Sequence, residues 1–203
     1  MIALRVLKAC SILPPRRLVG GNKNMKHRKK MLIGALLITI SLVSIISPAS
    51  AYTYNGRYWH SGFAQVDKDS SIPSSWSNSL TQAMSAWNNA GANFFFYQIG
   101  CENKLYYTSL GSSGPLATTT ETYSGTSMTK CIVRFNSDKS WSTTGASGYF
   151  DVQSAATHEF GHWLSLGHSS NTEATMYSTM STGETKKRSL HSDDIAGICY
   201  IYP

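Results

Sequence analysis

The chain carries the stretch HEFGHWLSLGH at residues 158–168. On a helix, side chains four positions apart lie one turn above each other, so His158 and His162 share a face. Two imidazoles arranged in this way can bind one zinc ion at about 2.0–2.1 Å. His168 adds a third ligand if the chain turns back after the helix. Three protein ligands with one open coordination position are typical of a catalytic zinc site, which the stretch therefore predicts.

Three other residues of this stretch have predicted roles. Glu159 follows the first histidine, so its carboxylate is angled toward the open coordination position. There it can act as the general base that takes a proton from an attacking water. For the third histidine to reach the metal, the helix must end near Ser165. Gly167 allows the chain to turn there with little strain, because it lacks a Cβ atom.

An HExxH pattern also arises by chance, in roughly one chain of this size in a few hundred. The third histidine at a matching distance and the export signal described below make a zinc site the better interpretation. His60 and His191 stand apart from other candidate ligands, so we expect neither to bind metal.

The first 51 residues differ in charge from the rest of the chain. They hold nine of the 18 Lys and Arg residues and none of the 11 Asp and Glu residues. Residues 52–203 therefore carry nine basic against 11 acidic side chains, whereas the whole chain carries +7. The basic balance belongs to the leader, and we exclude nucleic acid as a partner.

The leader has the three parts of a secretory signal peptide. Basic residues 26–30 precede the apolar stretch 31–46, and residues 48–51 (PASA) match the small-x-small cleavage pattern. A membrane anchor is the alternative, but a span needs roughly 20 apolar residues and this run is shorter. We therefore predict cleavage before Tyr52 and a secreted, extracellular protein without a stable membrane anchor.

The predicted organisation has three parts. Residues 1–24 precede a second start at Met25 and are interpreted as an extension from a misassigned start codon. Residues 25–51 form the signal peptide. Residues 52–203 form one domain, which is long enough to bury a core. We expect this domain to be a monomer.

Three helices are predicted in the domain. The first spans about residues 71–90 and ends at Gly91, because apolar residues recur at helical spacing on one face: Trp76, Leu80, Met84 and Trp87. The second spans about residues 151–164, with Asp151 as its cap, and carries the histidines. The third begins after Ser192.

Short β-type runs lie between the first two helices, separated by turns rich in Gly, Ser and Asn. They cover residues 93–98, 104–108, 116–120 and 131–135. Segment 111–130 is the least ordered stretch by composition. One helix, several strands and two further helices predict an α+β domain.

The domain holds three cysteines, an odd number that leaves one thiol over in any disulfide scheme. Export permits a disulfide. Cys101 with Cys131 is the preferred pair, because Cys199 lies in an apolar C-terminal segment where a buried thiol is ordinary.

The histidine stretch resembles the long metzincin signature, HExxHxxGxxH followed by a Met-turn. Met176 lies eight residues after His168 in the sequence ATMY, which resembles the matrixin form of that turn. Residues 114–117 (GPLA) resemble the substrate-side edge strand of matrixins, and residues 192–198 resemble their C-terminal helix. The order of these fragments along residues 72–203 supports the resemblance.

The resemblance implies a metzincin-like α+β fold: a twisted, mostly parallel sheet, two long helices, a Met-turn and a C-terminal helix. It implies one catalytic zinc ion held by three histidines, with a glutamate as base: His158, His162, His168 and Glu159. It further implies that Met176 forms an apolar floor beneath the metal. Asp193 and Asp194 would brace the Met-turn, although as acidic residues in a first helical turn they also suit plain capping.

The chain departs from the matrixin pattern in several ways. Ser165 stands where the signature has Gly, and a left-handed conformation there would cost about 1 kcal/mol and weaken zinc binding. A cysteine-switch propeptide and the segment that holds a second zinc in animal matrixins are missing from the sequence. The sequence gives no support for a calcium site.

Together these features predict a zinc metalloendopeptidase, a hydrolase that cleaves peptide bonds in protein or peptide substrates. One alternative is a zinc hydrolase of other amide bonds, such as those of cell-wall peptides. Another is a secreted binding protein that keeps the zinc site without turnover. The intact Glu159 argues against the binding protein, because zinc retention alone does not require that carboxylate.

Overall fold

A computed structural model describes residues 51–203 of the chain. The predicted extension, residues 1–24, and almost all of the predicted signal peptide, residues 25–51, lie outside the described residues. Within residues 51–203, no helix is long and apolar enough to cross a membrane.

One layer of the domain is a five-stranded sheet. Its strands are β2 (Phe63–Lys68), β3 (Phe95–Gln98), β4 (Lys104–Thr108), β5 (Ala117–Ser124) and β6 (Ser127–Asn136). They stand in the order β3-β2-β4-β6-β5. Every pairing is parallel except the one between β5 and β6, so the prediction of a mostly parallel sheet is confirmed. The antiparallel strand β5 forms one edge.

Three helices complete the α+β architecture. They are α1 (Ser77–Asn88), α2 (Val152–Trp163) and α3 (Ser192–Ile201). A 3-10 turn precedes α1, and Gly91 follows it with a φ of +87°, as predicted. Asp151 caps α2 by accepting the backbone N–H of Ser154 at 2.8 Å. The cap of α3 is His191 rather than Ser192.

Two small sheets tie irregular segments to this frame. Strand β1 (Thr53–Tyr54) pairs antiparallel with β9 (Leu166–Gly167), which directly precedes His168. Strand β7 (Trp141–Ser142) pairs with β8 (Phe150–Asp151), which leads into α2. Both ends of the histidine helix are therefore held by strand pairing.

The core fixes α2 against α1 and the sheet. Trp87 of α1 is fully buried and donates its indole N–H to the carbonyl of Thr157 at 2.8 Å. On the sheet side, the Phe96 ring lies 5.1 Å from the Phe160 ring. These contacts leave α2 little freedom to shift, because a packed interior resists displacement.

The sequence misjudged two parts of the sheet. Strand β2, which lies between β3 and β4, was not predicted, because residues 63–68 end in the charged pair Asp67 and Lys68. Segment 111–130 was predicted to be the least ordered, yet most of it belongs to the β5–β6 hairpin. The segment is rich in Thr, which favours β structure without an apolar alternation.

The predicted disulfide between Cys101 and Cys131 is wrong, because both residues are free thiols. Cys101 donates its S–H to the carbonyl of Asn103 at 3.3 Å. Cys131 is completely buried in the core, and burial raises the pKa of its thiol. A buried thiol with a raised pKa is poorly reactive, so the core keeps it reduced.

Candidate metal centre

The structure brings together the three histidines that the sequence nominated. Helix α2 places His158 and His162 on one face, and the turn after it returns His168 to them. The ligand atoms of the three imidazoles lie within 4.8 Å of one another. Within residues 51–203, no other His, Cys, Asp or Glu belongs to such a group.

Backbone carbonyls orient two of the imidazoles. The Nδ1 of His158 lies 2.7 Å from the carbonyl oxygen of Thr175, and the Nδ1 of His162 lies 2.8 Å from that of Leu166. A carbonyl oxygen only accepts, so each Nδ1 carries the proton and donates it. The Nε2 lone pair of each ring is then left for a metal, an arrangement common among metal-binding histidines.

The protonation of the histidines also suits a metal site. Burial lowers the pKa of His158 well below its ordinary value and lowers that of His162 to about 4. The more exposed His168 shows a lowered pKa for the same reason. All three imidazoles are therefore neutral at pH 7, which is the form that ligates a metal.

Glu159 lies beside this group and contacts the opposite wall of the cleft. It is 6% exposed, and burial raises the pKa of its carboxyl to about 7. The hydroxyl of Thr119, from β5, donates to its Oε2 at 2.6 Å and lowers that pKa in part. The sequence predicts Thr119 in a strand, but it does not predict the hydrogen bond between the Thr119 hydroxyl and Glu159.

The turn between α2 and His168 is strained at the predicted residue. Ser165 has a φ of +70°, and no other non-glycine residue within 51–203 has a positive φ. It is 1% exposed, and its hydroxyl has no hydrogen-bond partner. Gly167 does not contribute the left-handed turn, which corrects that expectation. Glycine fits at position 167 because a Cβ atom there would lie 2.2 Å from the Thr53 hydroxyl oxygen.

Met176 packs directly against α2, beneath the stretch that carries the histidines. Its side chain is fully buried. A Cβ atom on Gly161 would lie 2.1 Å from the Met176 sulfur and 2.9 Å from the Trp87 ring. The absence of a side chain at Gly161 therefore permits the methionine and the helix to approach closely.

Helix α3 braces the methionine turn through Asp194. This fully buried carboxylate accepts the backbone N–H groups of Thr175, Met176 and His191 at 2.8, 3.0 and 2.8 Å. Because the carbonyl of Thr175 orients His158, a chain of hydrogen bonds connects Asp194 on α3 with His158 through Thr175. Asp193 does not bond to Thr175 or Met176 and instead accepts the hydroxyl of Ser169 at 2.7 Å.

An open cleft of about 460 Å³ runs past the histidines. One wall is β5 with the segment before it, including Leu116, Ala117 and Thr119. The other wall is α2 with the loop after Met176, including Met180. The predicted position of the edge strand along the cleft is confirmed.

These features define a class of protein. A mixed sheet packed on two helices, an HExxH helix, and a buried methionine turn beneath that helix make this a metzincin-type domain. The family model described as Matrixin matches residues 67–203, which is more than half of the chain. The chain belongs to the matrixin family.

Several curated proteins are similar to part of the chain. The chain is 42% identical over 74 residues to Metalloendoproteinase 2-MMP of Arabidopsis thaliana, covering 33% of this chain and 19% of that protein. It is 44% identical over 68 residues to Matrilysin of Homo sapiens, covering 34% and 25%. It is 43% identical over 68 residues to Neutrophil collagenase of Homo sapiens, covering 34% and 14%. The matched part is a quarter or less of these relatives.

Proposed function

We propose that this chain is a secreted, monomeric zinc endopeptidase in which His158, His162 and His168 hold one zinc ion and Glu159 is the general base. The observation that carries the proposal is the geometry of the cleft. Three neutral imidazoles converge beside a buried carboxylate, opposite a sheet edge with unpaired backbone groups. Membership of the matrixin family supports the same assignment.

The residues present fit zinc. The donor set consists of three imidazoles, two of them fixed by Nδ1 bonds to carbonyls, and the cleft leaves their other side open. Three such ligands and an open position are the arrangement of catalytic zinc. When bound there, zinc supplies Lewis acidity toward a scissile carbonyl and toward water. Met176 supports the helix that holds two of the ligands.

Glu159 moves the protons. Its carboxylate lies next to the ligands and can accept a proton from the attacking water, then deliver it to the leaving amine. Thr119 holds one oxygen of that carboxylate at 2.6 Å and so limits its rotation. The base is therefore positioned by the strand wall as well as by its own helix.

Strand β5 provides the surface for a peptide. It lies at the end of the five-stranded sheet, so along one side its N–H and C=O groups have no strand partner within residues 51–203. An extended peptide can add to such an edge by main-chain hydrogen bonds. Proteins and peptides are for this reason the proposed substrates.

Export is proposed from the leader of residues 25–51. N-terminal sequencing of protein from culture medium is expected to begin at Tyr52. A cell-bound product that retains residues 31–46 would show that the leader is an anchor.

A digest of casein or gelatin by the purified protein tests the function. Activity is expected to disappear with o-phenanthroline and to return with added zinc. It is also expected to fall in acid, because protonated imidazoles release the metal. Glu159→Ala keeps all three ligands, so zinc content stays near one per chain while turnover falls by about 10² or more.

Each alternative has its own outcome. Wild-type protein that binds zinc but cleaves no protein or peptide is a binding protein or acts on other amide bonds. A Glu159→Ala variant that cleaves as fast as wild type would show that Glu159 is not the base.

A further inference from the structure

Three consecutive cations occupy the 3-10 turn Lys186–Arg188, which packs beside α2. The two outer ones have carboxylate partners. Lys186 is exposed, 3.5 Å from Glu173, and Arg188 lies 2.6 Å from the Asp151 carboxylate at the start of α2. The turn is thereby fixed at both ends, and the middle cation is directed inward.

Lys187 is 2% exposed and lines the same cleft as the histidines. Its ammonium donates to the carbonyl of Tyr177. Within residues 51–203 it has no other hydrogen-bond acceptor, and no carboxylate lies within ion-pair distance. An ammonium offers three N–H donors, so two remain for a ligand. Burying a cation without a counter-ion is costly, and an anion entering the cleft would relieve that cost.

The carboxylates that act on Lys187 from a greater distance are largely committed elsewhere. They are Glu184, Asp194 and Glu159. Asp194 accepts three backbone N–H groups, and Glu159 accepts the Thr119 hydroxyl. Glu184 accepts the N–H of Ser181 through one oxygen. Its other oxygen has no hydrogen-bond partner within residues 51–203, so Glu184 is the carboxylate that competes with a substrate for Lys187.

Lys187 remains mainly cationic at neutral pH. Burial lowers its pKa to about 8, and the charge of Glu184 opposes that shift. A group with this pKa is protonated in most molecules at pH 7. The cleft therefore presents a positive charge under ordinary conditions.

Two apolar residues, Ala155 and Met180, line the same cleft as Lys187. Ala155 is 5% exposed and lies one helical turn before His158 and Glu159, so it borders the reacting region with only a methyl group. Met180 lines the cleft from the loop and is flexible enough to pack against an aliphatic stem. Apolar walls together with an ammonium group suit a substrate side chain that has methylene groups and ends in a carboxylate.

We propose that Lys187 makes this enzyme selective for peptide substrates with an acidic side chain next to the scissile bond. Lys187 binds the carboxylate of the substrate, while Ala155 and Met180 contact its methylene groups. This selectivity rests on the proposed endopeptidase function and adds a substrate class to it.

Matched peptides test the selectivity. Cut sites in casein are first mapped by mass spectrometry, and quenched fluorescent peptides are built on one of them. Each of the two residues flanking the bond is set in turn to Glu, Gln or Leu. At one of the two positions, kcat/KM for Glu is expected to exceed that for the isosteric Gln by about tenfold or more, the effect of one charge-assisted hydrogen bond.

Two variants locate the effect. Lys187→Met is expected to reduce the Glu-to-Gln ratio to about one while leaving the Leu peptide cleaved. Lys186→Met removes the neighbouring exposed charge and is expected to leave the ratio unchanged. If Lys187→Met does not fold, Lys187→Gln takes its place.

The outcomes are separable. A wild-type Glu-to-Gln ratio near one at both positions overturns the selectivity, whatever the variants do, and so does a ratio that survives in Lys187→Met. In both cases the peptides are cleaved and the endopeptidase function stands. Zinc-loaded wild type that cleaves no peptide overturns that function, and the selectivity with it.

Discussion

The helical wall of the cleft, α2, is buried along most of its length, whereas the strand wall, β5, is at least partly exposed at every residue. Trp87 and Met176 contact helix α2. Asp194 supports it indirectly, because it accepts the backbone N–H of Met176. The strand wall is held on one side by β6, and its other side is an edge.

This difference separates two tasks. Groups that carry the chemistry sit where packing fixes them to within a small distance, as a metal site requires. Groups that receive a substrate sit where backbone donors and acceptors remain unpaired. Substitutions behind α2 should therefore affect zinc and stability together, whereas substitutions that change only the free side of β5 should affect turnover alone.

The largest expected effect is that of Asp194→Ala. It leaves two buried backbone N–H groups and one part-buried one without their acceptor, so the free energy of unfolding should fall by about 3 kcal/mol or more. Zinc should bind more weakly, because the loop that orients His158 loses its support. Chemical denaturation and zinc titration measure both effects.

Asp193→Ala is the control for that variant. Asp193 is partly exposed, and it accepts the Ser169 hydroxyl and the part-buried N–H groups of Ala51 and Tyr52 rather than those of the methionine turn, so a smaller loss is expected. Equal losses in the two variants would contradict a special role for Asp194.

Ala117→Pro is expected to be next in size. Leu116 accepts the N–H of Asn136 and pairs toward β6, so by alternation the N–H of Ala117 faces the free edge. Proline there removes a donor to the peptide, and kcat/KM should fall by about tenfold or more while zinc content and melting temperature hold. Steady-state kinetics and metal analysis measure this.

Thr118→Pro tests the opposite side of the strand. By the same alternation its N–H faces β6, so this variant should lose stability as well as turnover. If both proline variants kept wild-type kinetics, the peptide would bind elsewhere.

Thr119→Val removes the hydrogen bond between Thr119 and Glu159, which joins the two walls of the cleft, and should have a smaller effect on turnover. Losing one hydrogen bond of about 0.5–1.5 kcal/mol should lower kcat by about two- to tenfold, with little change in KM. The Thr119 hydroxyl lowers the pKa of Glu159, so its removal raises that pKa. Because the base must be deprotonated, the acid limb of the pH–rate profile should move to higher pH.

A shift of the pH–rate profile distinguishes a role of Thr119 in positioning Glu159 from a role in packing alone. Thr118→Val, on the same strand, should leave the profile in place. An unshifted acid limb in Thr119→Val would mean that its hydroxyl does not act on Glu159 during turnover.

The smallest expected effect is at Ser165. Glycine adopts the observed φ of +70° without the steric cost that a Cβ atom brings to serine, so Ser165→Gly relieves strain. Ser165→Ala deletes the same partnerless hydroxyl but keeps the Cβ atom. The glycine variant should therefore be more stable than the alanine variant by about 1 kcal/mol, measured by denaturation. A glycine variant that is the less stable of the two would contradict strain at this turn.

The sequence predicted the helical wall better than the sheet as a whole. Four-residue spacing of His158 and His162 depends only on helix geometry, and the strain at Ser165 followed from its place in the pattern. Strand β2 was not predicted because it is half-polar and ends in the charged residues Asp67 and Lys68.

Burial was the main property that the sequence concealed. Lys187 lies in a run of three cations, which ordinarily predicts a solvated surface. In the structure Lys186 and Arg188 form ion pairs, whereas Lys187 is 2% exposed and lines the cleft. The contact between Thr119 and Glu159 was hidden for a similar reason, since 40 residues separate them in the chain.

The hydrogen bonds that run from Asp194 through Thr175 to His158 have a consequence for the timing of assembly. The ribosome completes residues 158–168 well before residue 194, so a nascent chain carries every candidate ligand and the base before it carries the carboxylate that sets the loop. A chain halted in between has all the catalytic groups but an unsupported imidazole. Such a chain is expected to bind zinc more weakly than the complete one, although it holds every candidate ligand.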